Sequence, residues 1–138
     1  MAARTFNAEL DNLAVIRTYV EETGLSLHAQ AKAVGEIVQA VDEAATNVIV
    51  HGYQGQPGLI EIEVEQENEC LAVRIRDQAF YFDPTSVPPP DLTLPLNKRP
   101  MGGLGVHLIR TLMDEFRYAA LSQGGNELTL KKRAFISG

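Results

Sequence analysis

The chain has 138 residues, of which 45% are hydrophobic and 22% charged, the scale of one globular domain that buries roughly two thirds of the surface its unfolded chain exposes. A net charge of −6, with no Lys/Arg run long enough to form a basic patch, argues against nucleic-acid binding. The single cysteine, Cys70, excludes a disulfide framework and reads as a core thiol in a reducing cytoplasm.

The N-terminal MAARTFNAELDN has no apolar signal core, and no stretch approaches the ~18 apolar residues of a membrane span. The expectation is a cytoplasmic protein with no membrane partner. Residues 3–7 read as a short first strand. Residues 9–22 read as a helix with Leu10, Leu13, Val15, Ile16 and Val20 as its apolar stripe and Gly24 as its end. A longer helix is expected from near Ser26 to His51, where Ala33, Val34, Ile37, Val38, Val41, Ala45, Val48 and Ile49 recur at three and four; Gly52 stops it. The period then changes to two. Ile60, Ile62 and Val64 alternate with Glu61, Glu63 and Glu65, and Leu71, Val73 and Ile75 alternate with Arg74 and Arg76 beyond a Glu67-Asn68 turn. A proline-rich run occupies residues 84–100. A third helix is expected over residues 104–116, then strands over 117–121 and 127–132 around Gln123-Gly124-Gly125. Helices that precede and interrupt a run of hairpins predict an α+β fold, one sheet with helices on one face.

Three stretches carry candidate chemistry. On the long helix, Glu43, Asn47 and His51 are four apart, so they stack as one polar face on an otherwise apolar helix. A carboxylate, an amide oxygen and an imidazole aligned this way can hold a hydrated hard cation and activate a hydroxyl. Mg²⁺ takes only one or two protein oxygens and completes its shell with water and phosphate oxygens. The plainer alternative is a solvent-facing stripe. Asp77 stands at a strand exit, in Asp77-Gln78-Ala79-Phe80-Tyr81-Phe82-Asp83-Pro84. It either makes a local side-chain turn or is a buried carboxylate accepting from an exocyclic amine, a contact of roughly 1.5–3 kcal/mol that separates adenine from guanine. Last, Gly102-Gly103-Leu104-Gly105 opens an apolar helix, where free N–H groups and the helix dipole favour phosphate. It is not a P-loop, because Val106 and His107 follow Gly105 where Lys and Ser/Thr are needed. Nor is it a dinucleotide fingerprint, because it lies late, after an antiparallel hairpin.

The order of these signals resembles the Bergerat-fold ATP site of the superfamily that contains gyrase, sensor histidine kinases and MutL. Through EAATNVIVHGY (residues 43–53), Phe82-Asp83-Pro84 and GGLGVHLIRTLMDE (residues 102–115), nearly the whole chain resembles the small bacterial anti-sigma-factor serine kinases. The resemblance implies a single histidine-kinase-like ATPase domain over residues 1–138. This would be a two-layer α/β sandwich whose mixed, mainly antiparallel sheet is covered on one face by helices, with an ATP lid at about 84–101. It implies ATP and Mg²⁺ as cofactors. Asn47 would coordinate Mg²⁺, Glu43 would be the general base for a partner's serine hydroxyl, and Asp77 would accept from the adenine amine above Ala79. The backbone of Gly103, Leu104 and Gly105, continuing into Val106 and His107, would wrap the phosphates, and Asn126 would support the base. Lys98 or Arg99 is a candidate for the γ-phosphate. Two departures stand out: Ala79 replaces the wider superfamily's glycine, and the lid is stiffened by Pro88, Pro89, Pro90, Pro95 and Pro100.

The function this implies is a serine/threonine protein kinase acting as an anti-sigma or partner-switching factor. It would be a homodimer that phosphorylates an antagonist protein and binds a sigma factor, with Arg17 as a candidate partner contact. The alternative is a nucleotide-sensing module that holds a partner and transfers no phosphate; the presence of Glu43 favours the enzyme. The ATP-binding half of a histidine kinase is a poorer match, because His28, expected to begin a helix, lacks a flanking acidic partner.

Overall fold

The computed structural model describes residues 2–86, 93 and 103–135. Strand β1 (Ala2–Asn7) leads through a 3-10 turn (Leu10–Asn12) into helix α1 (Leu13–Ser26). Helix α2 (Ala31–Asn47) follows and runs into a π turn (Val48–Gly52). Next come the hairpin β2 (Leu59–Glu67) and β3 (Cys70–Asp77), a 3-10 turn (Pro84–Ser86), helix α3 (Gly103–Leu112) and the hairpin β4 (Glu115–Ala120) and β5 (Asn126–Arg133). The strands lie in the order β1-β2-β3-β5-β4, and every described pairing is antiparallel.

The period-two pattern becomes a sheet because its register makes the apolar rows continuous. Ile62 stands opposite Ile75, which stands opposite Leu128; Val64 stands opposite Val73, which stands opposite Leu130. These six side chains are buried and share one core with Ile16 and Val20 of α1 and Val34, Ile37 and Val41 of α2. Each contributes roughly 1.5–3 kcal/mol by leaving water. The alternate positions carry the charge. Arg74 reaches Glu65 at 2.6 Å and Glu67 at 2.7 Å, and Arg76 reaches Glu61 at 2.6 Å and Glu127 at 2.7 Å. The Arg74 guanidinium holds the Glu67 carboxyl down to about 2. Ion pairs on a partly exposed face add little stability one by one. They do specify register, since a slip by one residue would turn the carboxylates into the core.

Three expectations are corrected. Gly24 does not end α1; it is buried within it, where a Cβ would meet Leu71 Cδ2 at 3.1 Å and Val34 Cγ2 at 3.2 Å. The glycine therefore marks a close crossing of α1 over α2 and the sheet. The helix continues to Ser26, whose hydroxyl donates to the Thr23 carbonyl at 2.7 Å. His28 begins no helix: it sits in the connection at φ 66, and α2 starts at Ala31. Phe116 is not helical either. α3 closes at Leu112, the Asp114 N–H donates to the Lys131 carbonyl at 2.9 Å, and the Asp114 carboxylate accepts the Arg133 N–H at 2.7 Å. Strand β4 thus begins early, with Phe116 opposite Leu130.

The expected lid, with Lys98, Arg99 and its prolines 88–90, 95 and 100, lies outside the described residues apart from the stretch 84–86 and Thr93. Gly102 lies outside them too. Among the described residues, no helix is long and apolar enough to cross a membrane.

Candidate functional site

Two helices and the end of the central hairpin build the site. Gly105, in the first turn of α3, lies directly over α2: a Cβ there would stand 2.8 Å from Glu43 Oε2 and 3.9 Å from Asn47 Nδ2. Glu43 and Asn47 are one helical turn apart, so a carboxylate, an amide and a side-chain-free backbone close one cradle. His51 leaves that face. It falls in the π turn Val48–Gly52, where one turn takes more than four residues and a spacing of four no longer returns the same side.

The glycines are the opening turn of α3 itself rather than a loop before it, with Gly103 and Leu104 first and Gly105 next. Val106 is buried and His107 is exposed, which leaves the backbone as their contribution to an anion site. Among the described residues, no group of three or more His, Cys, Asp or Glu is placed to hold a metal. The donor set therefore fits a cation that takes Asn47 and phosphate oxygens, not one held in a carboxylate cage.

Beside the cradle is a cavity of about 30 Å³. Its walls include the apolar Val48, Ile109 and Leu128 and the polar Asn47, Asp77 and Asn126. Asp77 ends β3 directly opposite Asn126, the first residue of β5. Asp77 as a residue is 4% exposed. Burial pushes its pKa up, against the pull of hydrogen bonds from the Asn126 amide and the Ala79 N–H. Both of those bonds, 2.9 Å each, end on Oδ1. Asp77 thus makes the local turn that the sequence allowed and also lines the cavity.

The surroundings hold it in place. Gly125 has φ +98, and a Cβ there would stand 2.1 Å from the Asp77 carbonyl oxygen, so this turn requires glycine. The Tyr53 hydroxyl donates to the Leu59 carbonyl at 2.7 Å and accepts the Gln78 N–H at 2.8 Å, tying the end of the α2 motif to the exit of β3. Ala79 is buried, and its methyl fits because position 52 is glycine: a Cβ on Gly52 would approach it to 3.2 Å.

Asn126 is the most connected side chain of the site. Its Oδ1 accepts from the Tyr118 hydroxyl at 2.6 Å and the Phe82 N–H at 3.0 Å, and its Nδ2 donates to Asp77 Oδ1 at 2.9 Å and the Phe80 carbonyl at 3.0 Å. Sequence reasoning missed Tyr118: it lay in an expected strand, and nothing in the alternation there shows the hydrogen bond to Asn126 that gives it its role. The Tyr81 hydroxyl donates to the Leu121 carbonyl at 2.8 Å, and Arg110 of α3 donates to the Thr85 carbonyl, so the chain leaving β3 is tied at several points.

Asn47, Asp77, Ala79 and Asn126 therefore share one cavity, and Gly105 joins Glu43 and Asn47 next to it. Arg17 lies apart, on α1, paired at 2.7 Å with Asp42 of α2, the neighbour of Glu43.

Comparison with known proteins shows the family. The family model described as a histidine kinase-like ATPase domain matches residues 6–132. A protein of Bacillus cereus (strain Q1) named serine-protein kinase RsbW is 28% identical over 114 residues, covering 80% of this chain and 71% of that protein. One from Halalkalibacterium halodurans named anti-sigma F factor is 28% identical over 129 residues, covering 93% of this chain and 88% of the relative. Among solved structures, the RsbU and RsbW domains of a Mycobacterium tuberculosis protein superpose with a TM-score of 0.63 at 14% identity. That match covers the whole of this chain and 35% of the longer one, and at that identity it speaks to the fold.

Proposed function

This chain belongs to the histidine kinase-like ATPase domain family, and on that premise we propose that it is an ATP-dependent serine/threonine protein kinase of a partner-switching circuit. It phosphorylates a serine on an antagonist protein. The observation that supports the reading is the meeting of Gly105 with Glu43 and Asn47, which brings a carboxylate, an amide and a helix N-terminus to one point. The relatives named serine-protein kinase and anti-sigma F factor support it.

In this reading Mg-ATP, when bound, supplies the phosphoryl group and the charge neutralisation of its oxygens, and Asn47 is the protein ligand of the cation. Asp77 accepts the adenine amine, and the backbone of residues 103–107 holds the phosphates at the positive end of α3. Glu43 takes the proton of the serine hydroxyl as that oxygen bonds to the γ-phosphorus and the bond to the ADP oxygen breaks, leaving phosphoserine and ADP. Positioning and charge do most of this chemistry, so a single general base suffices. We infer the partners by the same likeness: a phospho-acceptor antagonist and a sigma factor, met in the cytoplasm by a homodimer that uses Arg17 as a contact. Residues 84–101 act as the lid of this single domain.

Incubation with γ-labelled ATP, Mg²⁺ and the co-purifying antagonist is expected to label the antagonist on serine. Glu43→Ala is expected to retain nucleotide and to lose transfer by about 10²–10⁴-fold, the usual contribution of a general base. Bound nucleotide with no label on the partner would instead establish a holding module, and equal transfer by the two proteins would remove Glu43 from its role.

A further inference from the structure

We propose that Asn126 makes no hydrogen bond to the nucleotide and that, paired with Tyr118, it acts as a positioning residue that presents Asp77 Oδ2 to the base and latches the Phe80–Phe82 segment beside the cavity. The proposal rests on the adenine-site reading above and gives Asn126 a different role within it.

An asparagine amide has two acceptor positions on oxygen and two N–H donors. In Asn126 all four are engaged, by Tyr118 and Phe82 on Oδ1 and by Asp77 and Phe80 on Nδ2. No capacity is left for a purine. The orientation of the amide is also settled by its neighbours. The Phe82 N–H can only donate and the Phe80 carbonyl can only accept, so Oδ1 must face Phe82 and Nδ2 must face Phe80 and Asp77. The Tyr118 hydroxyl, at 2.6 Å, fills the second acceptor position of Oδ1 and holds the amide in that sense.

Two consequences follow. First, the Asn126 amide and the Ala79 N–H both bond Oδ1 of Asp77. Among the described residues no hydrogen bond ends on Oδ2, so the second oxygen is the one offered to an exocyclic amine. Second, the same side chain grips the backbone of Phe80 and Phe82 at once. Phe80 and Phe82, although 58% and 43% exposed, are thereby held as part of the wall of the 30 Å³ cavity. A cavity of that size is too small for a purine, so entry needs its wall to open, and Asn126 sets how firmly the part formed by Phe80 and Phe82 is held.

The test compares ATP with inosine triphosphate, which differs at the base by carrying a carbonyl where adenine carries its amine. Wild type, Asn126→Ala and Tyr118→Phe are titrated with each, and the amide exchange of Phe82 is measured in the nucleotide-free proteins. Asn126→Ala is expected to narrow the ATP-over-ITP ratio about tenfold and Tyr118→Phe about threefold, the size of one or part of one hydrogen bond. The narrowing should come from weaker ATP binding with ITP binding kept, and Phe82 should exchange faster in Asn126→Ala. Equal losses for both nucleotides, an unchanged ratio in both variants, or unchanged Phe82 exchange overturn the proposal and leave the adenine reading standing. A wild type that does not prefer ATP removes the adenine reading itself, and the proposal with it. Tyr118→Phe deletes one oxygen and keeps the ring, so the test survives if Asn126→Ala fails to fold.

Discussion

Asp77→Asn should do more than weaken adenine binding: it should turn the preference toward a 6-oxo purine. The Ala79 N–H and the Asn126 amide both donate to Oδ1 of Asp77 at 2.9 Å. Two donors fixed on one side require an acceptor there, so the new side chain must place its carbonyl oxygen at the Oδ1 position. Its NH₂ then stands where Oδ2 was. Against adenine, donor faces donor, and the charge-assisted contact of about 1.5–3 kcal/mol is lost, about 10- to 150-fold in affinity. Against inosine, donor faces carbonyl, and a neutral hydrogen bond of about 0.5–1.5 kcal/mol is gained. The ATP-over-ITP ratio should therefore move by about 2–4.5 kcal/mol, between about 30-fold and about 2,000-fold. Folding should not suffer, since burial raises the Asp77 pKa and thus disfavours the charge that the substitution removes. Competition titration with ATP and ITP, alongside thermal melts, reads both effects. Equal weakening of both nucleotides, or a large fall in Tm, would refute the reasoning, because either would mean that the donors around Oδ1 do not hold the new amide in place.

Gly105→Ala places a methyl carbon 2.8 Å from Glu43 Oε2, a clash that the flexible carboxylate relieves by moving. Tm should hold or rise, because Ala is favoured over Gly in a helix by about 0.5–1 kcal/mol. Phosphoryl transfer should fall by up to about 10²-fold through the misplaced base, and unchanged transfer in a kinase assay would separate Gly105 from Glu43. The Glu67 carboxyl, held at about 2 in the folded state against an ordinary 4.5, contributes stability that is fully present above pH 4.5 and is lost as pH falls towards 2. Urea midpoints of wild type and Glu67→Gln should converge across that window; a constant gap would contradict the pairing with Arg74. Arg17→Ala removes a partly exposed ion pair with Asp42, worth at most about 1 kcal/mol, so Tm should barely move while antagonist affinity, read by titration, drops. Unchanged affinity would take Arg17 out of the interface.

The hairpins were legible because period two has no competitor: Ile60 to Val64 and Leu71 to Ile75 bury one face and charge the other, as the paired register requires. Helix ends were less so. Gly24 is a stop signal by composition but a packing residue in space, and telling the two apart needs Leu71, 47 residues away, to be placed beside it. Phe116 fits a helical spacing from Ile109 and Leu112 as well as a strand alternation with Tyr118, and the bonds of Asp114 to β5 decide between them. Glu43, Asn47, Asp77 and Gly105 could be picked out one by one because each is a polar or side-chain-free position in an apolar setting. Tyr118 could not, since its significance lies wholly in a hydrogen bond to Asn126 made across the β4–β5 pairing.

The two halves of the site have different structural origins. Glu43, Asn47 and Gly105 are brought together by the packing of α3 on α2, whereas Asp77 and Asn126 are joined by the pairing of β3 with β5. Only Asn47 belongs to both, as a wall of the cavity and a side of the cradle. A shift of α3 is therefore expected to alter the relation of Glu43 to the phosphates more than the Asp77–Asn126 pair, which the sheet register holds, even though Ile109 of α3 is a wall of the cavity. Base recognition and transfer are separable in such an arrangement. A protein that must hold one partner and phosphorylate another needs that property, since nucleotide can then stay bound while the position of one helix decides whether transfer occurs. Variants at Gly105 and at Asp77 should accordingly fail in different assays, the first in turnover with nucleotide bound, the second in base selectivity.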